Sequence, residues 1–480
     1  MMKGQQRVII ENVTPEINCG QFPAKRVINE RIKIEADIYS DSHDVLSAEL
    51  LYKHTTEDTW HREEMKYHIN DRWTGDFVPE KTGIWQYSLQ AWVNHFKTWH
   101  RDIIKKINAS ADFQVDLLVG AQMIKETLSE YPDIATEETS LLKEMAETLT
   151  SPGTKPEEKV QHILDHTLYA ILIKYPVKKR MKKYEKTLTV EVDRERANFS
   201  TWYEVFPRSL GKNGYGTFED CIAFLPYVSD MGFDVLYLPP IHPIGETNRK
   251  GKNNSTSSKP GEPGSPWAIG NKEGGHKSIH PELGNLESFK KLVNKAKEYQ
   301  MEIAMDMAFQ CSPDHPWVKE NPQWFKKRPD GSLQYAENPP KKYEDIYPLY
   351  FETEDWENLW NELKSVFLYW IEQGVKIFRV DNPHTKSIYF WGWVIGEIKK
   401  EHPDVIFLSE AFTRPKVMNQ LAKQGFTQSY TYFTWRNTKY EITQYCNELV
   451  NTGSREFFRP NFWPNTQERD TSNASHLQPP

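Results

Sequence analysis

Charged residues close several short apolar segments in the second half of the chain. VKIFRVD ends on Arg379 and Asp381, which lie two positions apart and therefore point to the same side of a strand. EIAMD ends on Asp306, and VIFLSE ends on Glu410. A single strand-end Asp such as Asp306 is more often a helix cap, but four ionisable groups at three such ends are not typical of structure alone. We therefore interpret Asp381 and Glu410 as a pair of carboxylates that performs chemistry.

The elements that could bring these ends together are the strands of a parallel barrel. From Trp202 onward short apolar strands alternate with helices, and repeated units of this length predict an α/β chain with a (β/α) barrel. In such a barrel the C-terminal ends of the strands carry the site. Seven strands rather than eight can be counted, which predicts a barrel that stays open and exposes its edges. The seven are WYEVF, DVLYLPP, EIAMDM, VKIFRVD, VIFLSE, QSYTYF and EFFRPNF.

The first half of the chain has different patterns and predicts a separate domain. Residues 1–116 contain short alternating segments separated by DS, EDT and KTG turns, which is typical of a β-sandwich. Residues 117–186 change to helical spacing, and SPGTKPEE divides them into an inserted helical hairpin. Residues 187–201 return to strand alternation. The remaining ranges are the barrel at 202–466, a loop subdomain within it at 308–350, and a polar tail at 467–480.

Composition excludes several classes of function. The chain has 480 residues and a net charge of −7, so it is long enough for two or three domains and has no basic excess for nucleic acid or an anionic membrane. The start, MMKGQQRVII, has only a short apolar run, and no stretch approaches a membrane span, which predicts a cytoplasmic protein. The four cysteines are far apart and form no CxxC pair, and no set of metal ligands at suitable spacing appears. We therefore predict no metal.

The strand motifs resemble those of a known superfamily. WYEVFPRS, GFDVLYLPPI, EIAMDMAFQ, GVKIFRVDNPH and FLSEAF are similar, in order, to the sequence regions of the α-amylase superfamily of glycoside hydrolases and transferases. Within it, the loops resemble those of the α-1,4-glucan:maltose-1-phosphate maltosyltransferases, whose sandwich, helical insert and TIM-type (β/α)8 barrel follow the same order. These loops are PPIHPIGETNRKGKNN, GSPWAIG, QCSPDHPWV, AENPPKKYEDIYP and FRPNFWPNT.

The resemblance implies retaining glycosyl transfer, with Asp381 as the nucleophile and Glu410 as the acid/base. A retaining glycosyl enzyme needs two carboxyl groups roughly 5 to 5.5 Å apart. We expect Arg379 to orient Asp381 and to keep it ionised, because an adjacent opposite charge favours the charged carboxylate. Glu410 is expected to be less closely paired, since an acid must hold its proton near neutral pH.

The resemblance also implies a donor that carries phosphate. The segment DMAFQC has Gln310 and Cys311 where the superfamily usually has Asn-His, and the maltosyltransferase family shows the same change. Lysine, amide and hydroxyl donors suit a phosphate dianion, whereas a neutral glucan leaving group needs none of them. The implied partners are maltose 1-phosphate, an α-1,4-glucan such as glycogen and a second copy in a homodimer, with no cofactor. The residues implied in substrate binding are Lys250, Gln310, Asp345, Asn382, Asn338, Lys341 and Tyr343, and His242, His276 and His384 are further candidates for contacts with sugar hydroxyls.

The end of the chain departs from the family pattern. In the family NFWPNT is followed by Pro-Asp, whose Asp is a third catalytic carboxylate, and then by the last barrel units and a C-terminal β-domain. Here Asn465 and Thr466 lead into the polar QERDTSNASHLQPP, and we do not assign the role of the missing Asp to the longer Glu468. Two alternatives to a maltosyltransferase therefore stay open. One is an α-glucan hydrolase or trehalose-forming mutase of the same superfamily, and the other is a truncated, inactive chain that dimerises or binds glucan.

Overall fold

The computed structural model describes residues 4–211, 215–252 and 255–463, which form two compact units. One unit comprises residues 4–20, 29–79 and 84–190, and the other comprises 21–28, 80–83 and the described part of 191–463. The predicted polar tail at 467–480, with Glu468, lies outside the described residues. None of the helices in the described ranges has the length and apolarity that are needed to cross a membrane.

The amino-terminal half contains strands in two sheets. One sheet has the order β1-β3-β7-β6, and the second contains β10-β8-β4-β5 with β9 beside β8. Alternate residues of β3 are fully buried, which is the pattern that a strand with one inward face requires. The predicted sandwich is therefore confirmed. The strands are β1 (Val8–Thr14), β2 (Ala24–Val27), β3 (Ile32–Ser40), β4 (Leu46–His54), β5 (His61–Glu64), β6 (Lys66–Tyr67), β7 (Arg72–Phe77), β8 (Gly83–Val93), β9 (Lys182–Lys183) and β10 (Leu188–Asp193).

The helical insert is larger than predicted. It begins at His95 rather than at residue 117, and it has five helices rather than a hairpin. The missed signal is Asn94, whose side chain accepts a hydrogen bond from the backbone N–H of Lys97 and caps the first helix. SPGTKPEE separates the third helix from the fourth, as expected. The five helices are α1 (His95–Asn108), α2 (Gln114–Glu130), α3 (Thr136–Thr150), α4 (Pro156–Leu164) and α5 (His166–Lys174).

The second unit alternates strands and helices. Its strands are β11 (Trp202–Glu204), β12 (Val235–Leu238), β13 (Glu302–Met307), β14 (Gln310–Cys311), β15 (Ala336–Asn338), β16 (Lys341–Tyr343), β17 (Tyr347–Pro348), β18 (Ile377–Asp381), β19 (Ile406–Glu410) and β20 (Gln428–Ser429). Its helices are α6 (Phe218–Asp230), α7 (Leu286–Glu298), α8 (Pro316–Glu320), α9 (Trp356–Glu372), α10 (Ile388–Glu401), α11 (Pro415–Lys423) and α12 (Lys439–Asn451). The short pairs β14–β17 and β15–β16 lie in the predicted loop subdomain.

The main sheet of this unit is parallel and has the order β11-β12-β13-β18-β19-β20. Inside it, Val235, Ala304, Ile377 and Ile406 from four neighbouring strands form one buried cluster. Each of these residues lies near the start of its strand, so the amino-terminal end of the barrel is packed with apolar side chains. The carboxyl ends are left to carry polar groups.

The seventh predicted strand, EFFRPNF, is wrong as a strand of this sheet. It forms only an isolated parallel bridge, between Ser429 and Pro460. The bridge consists of two hydrogen bonds, from Ser429 N–H to the carbonyl of Arg459 and from Asn461 N–H to the carbonyl of Ser429, so the backbone of Pro460 itself faces away from β20. Among the described strands, β11 and β20 are the ends of the sheet, as an open barrel requires.

Candidate active site at the carboxyl ends of the barrel strands

The predicted strand-end charges lie side by side. Asp306 is the register partner of Arg379 across β13 and β18, and Asp381 is the register partner of Glu410 across β18 and β19. All four residues are at least 95% buried. The sequence therefore predicted correctly which charged groups meet at this end of the barrel.

Arg379 lies among the three carboxylates. Its Nη1 is 2.8 Å from Asp306 Oδ2 and 3.0 Å from Asp381 Oδ1, and its Nη2 is 3.7 Å from Glu410 Oε1. Burial alone would lower the pKa of Arg379, but the surrounding Asp306, Tyr237 and Glu410 raise it well above its ordinary value. The guanidinium stays charged and is closer to Asp381 than to Glu410, in the order that the sequence analysis expected.

The two oxygens of Asp381 have different surroundings. Oδ1 accepts a hydrogen bond from Arg379, whereas Oδ2 is buried and has no hydrogen-bond partner among the described residues. A buried carboxylate oxygen without a donor is costly, and such atoms mark places where a ligand completes the site. The arrangement orients Asp381 through one oxygen and leaves the other available for attack.

Asp306 has a supporting position in this group. Its Oδ2 accepts hydrogen bonds from Arg379 and from the hydroxyl of Tyr237, the latter at 2.5 Å. Burial raises the pKa of Tyr237 well above its ordinary value, so its hydroxyl stays protonated as the donor. The helix-cap interpretation of Asp306 is therefore wrong, because its carboxylate faces Arg379 on the neighbouring strand. The sequence analysis did not find Tyr237, although it alternates with Val235 on β12.

The residue after Asp381 contacts the other carboxylate. Asn382 has a left-handed backbone, with φ 43° and ψ 53°, which Asn tolerates better than most residues. Its backbone N–H donates to Glu410 Oε2 at 2.8 Å. The structure thus brings Asn382 to the site, but through its main chain. The sequence analysis missed Lys386, whose Nζ donates to the carbonyl oxygens of Asp381 and Asn382.

The predicted donor residues of two loops lie close to each other. Lys250 is 7% exposed and Asp345 is 2% exposed. Burial raises the pKa of Asp345, and a backbone N–H and the charge of Lys250 oppose that rise. The two loops meet where Asn248 Nδ2 donates to the carbonyl of Glu344 at 3.2 Å. Asp345 Oδ1 has no hydrogen-bond partner in the described part of the chain. Gln310 lies on β14, which pairs with β17, and its Nε2 is 3.4 Å from the carbonyl of Trp267.

The other three predicted substrate residues form a separate group. Asn338 and Lys341 are paired across the β15–β16 hairpin with exposed side chains, and Tyr343 at its end is half-buried. The contribution of this hairpin to substrate binding stays a prediction.

Two of the three candidate histidines remain compatible with a role in sugar binding. His242 Nδ1 is 2.9 Å from the carbonyl of Ser278, while its buried Nε2 has no partner among the described residues. His384 Nδ1 is also buried without a partner there. The prediction for His276 is wrong, because both of its ring nitrogens are engaged by the protein.

His276, Cys311 and His315 are close enough together to be considered as metal ligands, with ligand atoms within 4.8 Å of one another. Their hydrogen bonds argue against it. His276 Nε2 faces the carbonyl of Ala308 at 2.9 Å and must donate, so its Nδ1 accepts from His315 Nε2 at 3.1 Å. His315 Nδ1 in turn accepts from the N–H of Trp317. Each neutral ring has used its one lone pair, and neither can bind a metal without breaking this chain.

Known protein families match both halves of the chain. Residues 201–444 match the α-amylase catalytic domain, and residues 6–194 match domain N/S of α-1,4-glucan:maltose-1-phosphate maltosyltransferase. Two proteins of that name, from Chlorobaculum tepidum and Methylacidiphilum infernorum, are 50% and 49% identical over 467 residues. Each alignment covers 97% of this chain and 69% of the relative. A crystal structure of an α-amylase from Lactobacillus plantarum is 26% identical, with a TM-score of 0.44 over 53% of this chain and 60% of that one.

The second unit is thus the catalytic domain of an α-amylase-type protein, with its carboxylates at the expected strand ends. The amino-terminal match and the identity to the longer relatives narrow this class. The chain belongs to the family of α-1,4-glucan:maltose-1-phosphate maltosyltransferases.

Proposed function

We propose that the chain transfers a maltosyl unit from α-maltose 1-phosphate to the non-reducing end of an α-1,4-glucan, with retention at the anomeric carbon and release of phosphate. The observation that carries this proposal is the paired position of Asp381 and Glu410 around one guanidinium, in a chain that is 50% identical to a protein named for this transfer. Two carboxyl groups on adjacent strands suit the roughly 5 to 5.5 Å separation of a double displacement.

In the first step Asp381 Oδ2 attacks the anomeric carbon while Glu410 gives its proton to the departing phosphate oxygen. The bond from carbon to phosphate oxygen breaks as the ester bond to Asp381 forms, with inversion. In the second step Glu410 takes the proton of the acceptor 4-hydroxyl, whose oxygen displaces Asp381 with a second inversion. Arg379 orients Asp381 for the attack, which is supported by the 3.0 Å contact between Arg379 Nη1 and Asp381 Oδ1.

We further propose that Lys250, Gln310 and Asp345 bind the donor. Lys250 and Asp345 are buried side chains of opposite charge, and Asp345 Oδ1 has no hydrogen-bond partner among the described residues. The cation supports an anionic ligand, and the free acceptor oxygen supports a ligand with hydroxyl groups. Asn338, Lys341 and Tyr343 on the β15–β16 hairpin are proposed to bind the same donor, which the family resemblance supports.

The test of this function is donor dependence. The chain is incubated with glycogen or maltooligosaccharide and maltose 1-phosphate, and free phosphate and product length are measured together. We expect one phosphate for each lengthening by two glucose units. Equal lengthening with maltose and no phosphate would instead support a hydrolase or mutase of the superfamily, which shares Asp381 and Glu410 but does not need the lysines.

A further proposal concerns the edges of the sheet. Because β11 and β20 end the described sheet, we expect this 480-residue polypeptide, tested alone, to release phosphate more slowly and to be less soluble than a chain with further barrel strands. The comparison is a fusion that carries the C-terminal residues of the Chlorobaculum relative beyond the aligned region. Faster phosphate release by the fusion would support the need for further barrel strands. Equal turnover by both would contradict it, and would also remove the inactive-chain alternative.

We also propose that the protein acts in the cytoplasm as a homodimer in α-glucan or glycogen synthesis. The family likeness supports the pathway, because the donor and acceptor in the relatives' name build a glucan. Val115 and Leu118 on α2 are 69% and 55% exposed, which supports self-association through the helical insert. Light scattering on the wild type and on Leu118→Lys tests this, since the variant should shift a dimer toward monomer.

A further inference from the structure

The turn after β18 is held by a lysine that the mechanism above does not use. Lys386 Nζ donates to the carbonyl oxygens of Asp381 and Asn382, at 3.2 Å each. Thr385 Oγ1 donates to the same carbonyl of Asn382 at 2.8 Å. Both side chains follow the predicted nucleophile closely in sequence, so the turn is closed by its own residues and keeps Asn382 in the left-handed region.

One peptide bond links Lys386 to Glu410. The carbonyl of Asp381 and the N–H of Asn382 belong to the same planar unit, and in a trans peptide they point in opposite directions. Lys386 Nζ lies on the oxygen side, and Glu410 Oε2 lies on the N–H side at 2.8 Å. A cation that fixes the carbonyl on one side therefore aims the N–H at the carboxylate on the other.

Lys386 also affects the charge of the site. Three carboxylates, those of Asp306, Asp381 and Glu410, face the buried guanidinium of Arg379. Burial lowers the pKa of Lys386, and the same three carboxylates oppose that change. The titratable groups that act on it are these carboxylates together with Arg379 and the neighbouring His384. With Lys386 charged, two cations rather than one balance the three anions.

We propose that Lys386 is a positioning residue for Glu410. Through the peptide between Asp381 and Asn382 it holds an N–H donor on Oε2 and so fixes the orientation of the carboxyl group, which gives its proton to the leaving oxygen and regains one from the acceptor hydroxyl. The use of that proton rests on the proposed function, whereas the orientation of the N–H is a property of the turn. The two can therefore be tested separately.

The orientation is tested by the crystal structure of Lys386→Met. We expect the distance from Asn382 N to Glu410 Oε2 to exceed 3.5 Å, or Asn382 to leave positive φ, because the carbonyls lose their cation. An unchanged hydrogen bond near 2.8 Å would overturn the proposal. If the Met variant does not fold, Lys386→Gln replaces it, since its amide can reach one carbonyl but not both, and the same two measurements decide.

The chemical consequence is tested with the full chain and maltose 1-phosphate. For Lys386→Met we expect kcat to fall about 10- to 100-fold with little change in the donor KM, because a displaced Glu410 loses part of the roughly 10²- to 10⁴-fold that general acid–base catalysis contributes. The basic limb of the pH profile should move to higher pH, because removal of a cation favours protonated Glu410. Lys386→Arg should recover part of kcat, and the exposed Lys416→Met should match the wild type.

A fall in donor affinity without a change in kcat or in the pH profile would contradict the proposal, since it would indicate a structural or binding role only. If the wild type releases no phosphate, the proposed function fails, and the crystal structure of the Met variant still decides the role of Lys386.

Discussion

Asp381 and Glu410 occupy paired positions on the neighbouring parallel strands β18 and β19. Adjacent strands lie about 4.8 Å apart, so two side chains in register reach the same height above the barrel. Arg379 contacts both, at 3.0 Å and 3.7 Å. The sheet thus sets the two backbones at the same height, and the turn after β18 then contacts Glu410 through the N–H of Asn382.

Replacement of the proposed nucleophile gives the most direct prediction. Asp381→Asn keeps the shape of the side chain but cannot form the ester, so we expect transfer to fall about 10⁴-fold or more. A 2-fluoro maltosyl donor should form a covalent adduct with the wild type, and mass spectrometry should locate it on Asp381. The exposed Asp230→Asn is the matched control and should keep full activity. An adduct on a different carboxylate would show that the roles are assigned wrongly.

Removal of the buried guanidinium should destabilise the fold. Arg379→Met leaves the carboxylates of Asp306 and Asp381 buried without their cation, and we expect the free energy of unfolding to fall by about 3 to 5 kcal/mol. Denaturant unfolding measures this. Addition of Asp306→Asn should recover part of the loss, because one buried charge is removed. The exposed Arg414→Met should change stability little, and an equal loss there would argue against the buried cluster as the cause.

Acid should destabilise the protein through buried histidines. Burial lowers the pKa of His242 to about 4, below the value of about 6.5 for an unfolded chain, so the unfolded state binds the proton first. The stabilising contribution is complete above pH 6.5 and is lost as the pH falls from about 6.5 toward 4, with a slope of up to about 1.4 kcal/mol per pH unit.

Urea unfolding at pH 7, 6 and 5 tests this contribution. His242→Asn, whose amide can replace the Nδ1 donor to Ser278, should reduce the slope. Burial also lowers the pKa of His315, to about 3, so part of the slope should remain. The exposed His43→Asn should keep the full slope, and a flat wild-type profile between pH 7 and 5 would rule out this effect.

A pair of glycines gives a test of packing. Gly270 has φ +104°, and a Cβ there would lie 2.2 Å from Cδ2 of His315. Gly270→Ala should therefore lower the free energy of unfolding by at least about 2 kcal/mol, through strain and overlap. Gly396 lies inside α10, and a Cβ there meets nothing within 4 Å. Gly396→Ala should raise stability by up to about 1 kcal/mol, so opposite signs are expected from one substitution type.

The sequence was sufficient for the features that depend on local pattern. Alternation along VKIFRVD placed Arg379 and Asp381 on one face, and the parallel barrel then brought Asp306 and Glu410 beside them. The α-amylase motifs gave the order of the strands. The apolar period and the turn residues predict these features because side chains along a strand return to the same face every two residues.

The features that the sequence did not predict depend on contacts between distant segments. Nothing in DNPHTKS indicates that the N–H of Asn382 faces Glu410, since that requires the register of β18 with β19. The engagement of His276 by His315 and Ala308 likewise joins three separate loops and strand ends. The helical insert was predicted to begin too far along the chain. Asn94 before a run with helical apolar periodicity is a recognisable N-cap, so the earlier start could have been predicted.

The bridge at Pro460 affects how the open sheet meets other molecules. Ser429 N–H donates to the carbonyl of Arg459, and Asn461 N–H donates to the carbonyl of Ser429, so the backbone next to β20 is already paired on both sides of the proline. Pro460 itself offers no N–H, and an incoming strand from a second molecule finds no donor at that position. This side of the sheet is therefore protected against the edge-to-edge addition that starts amyloid-like aggregation, and β11 is left as the side from which such growth would begin.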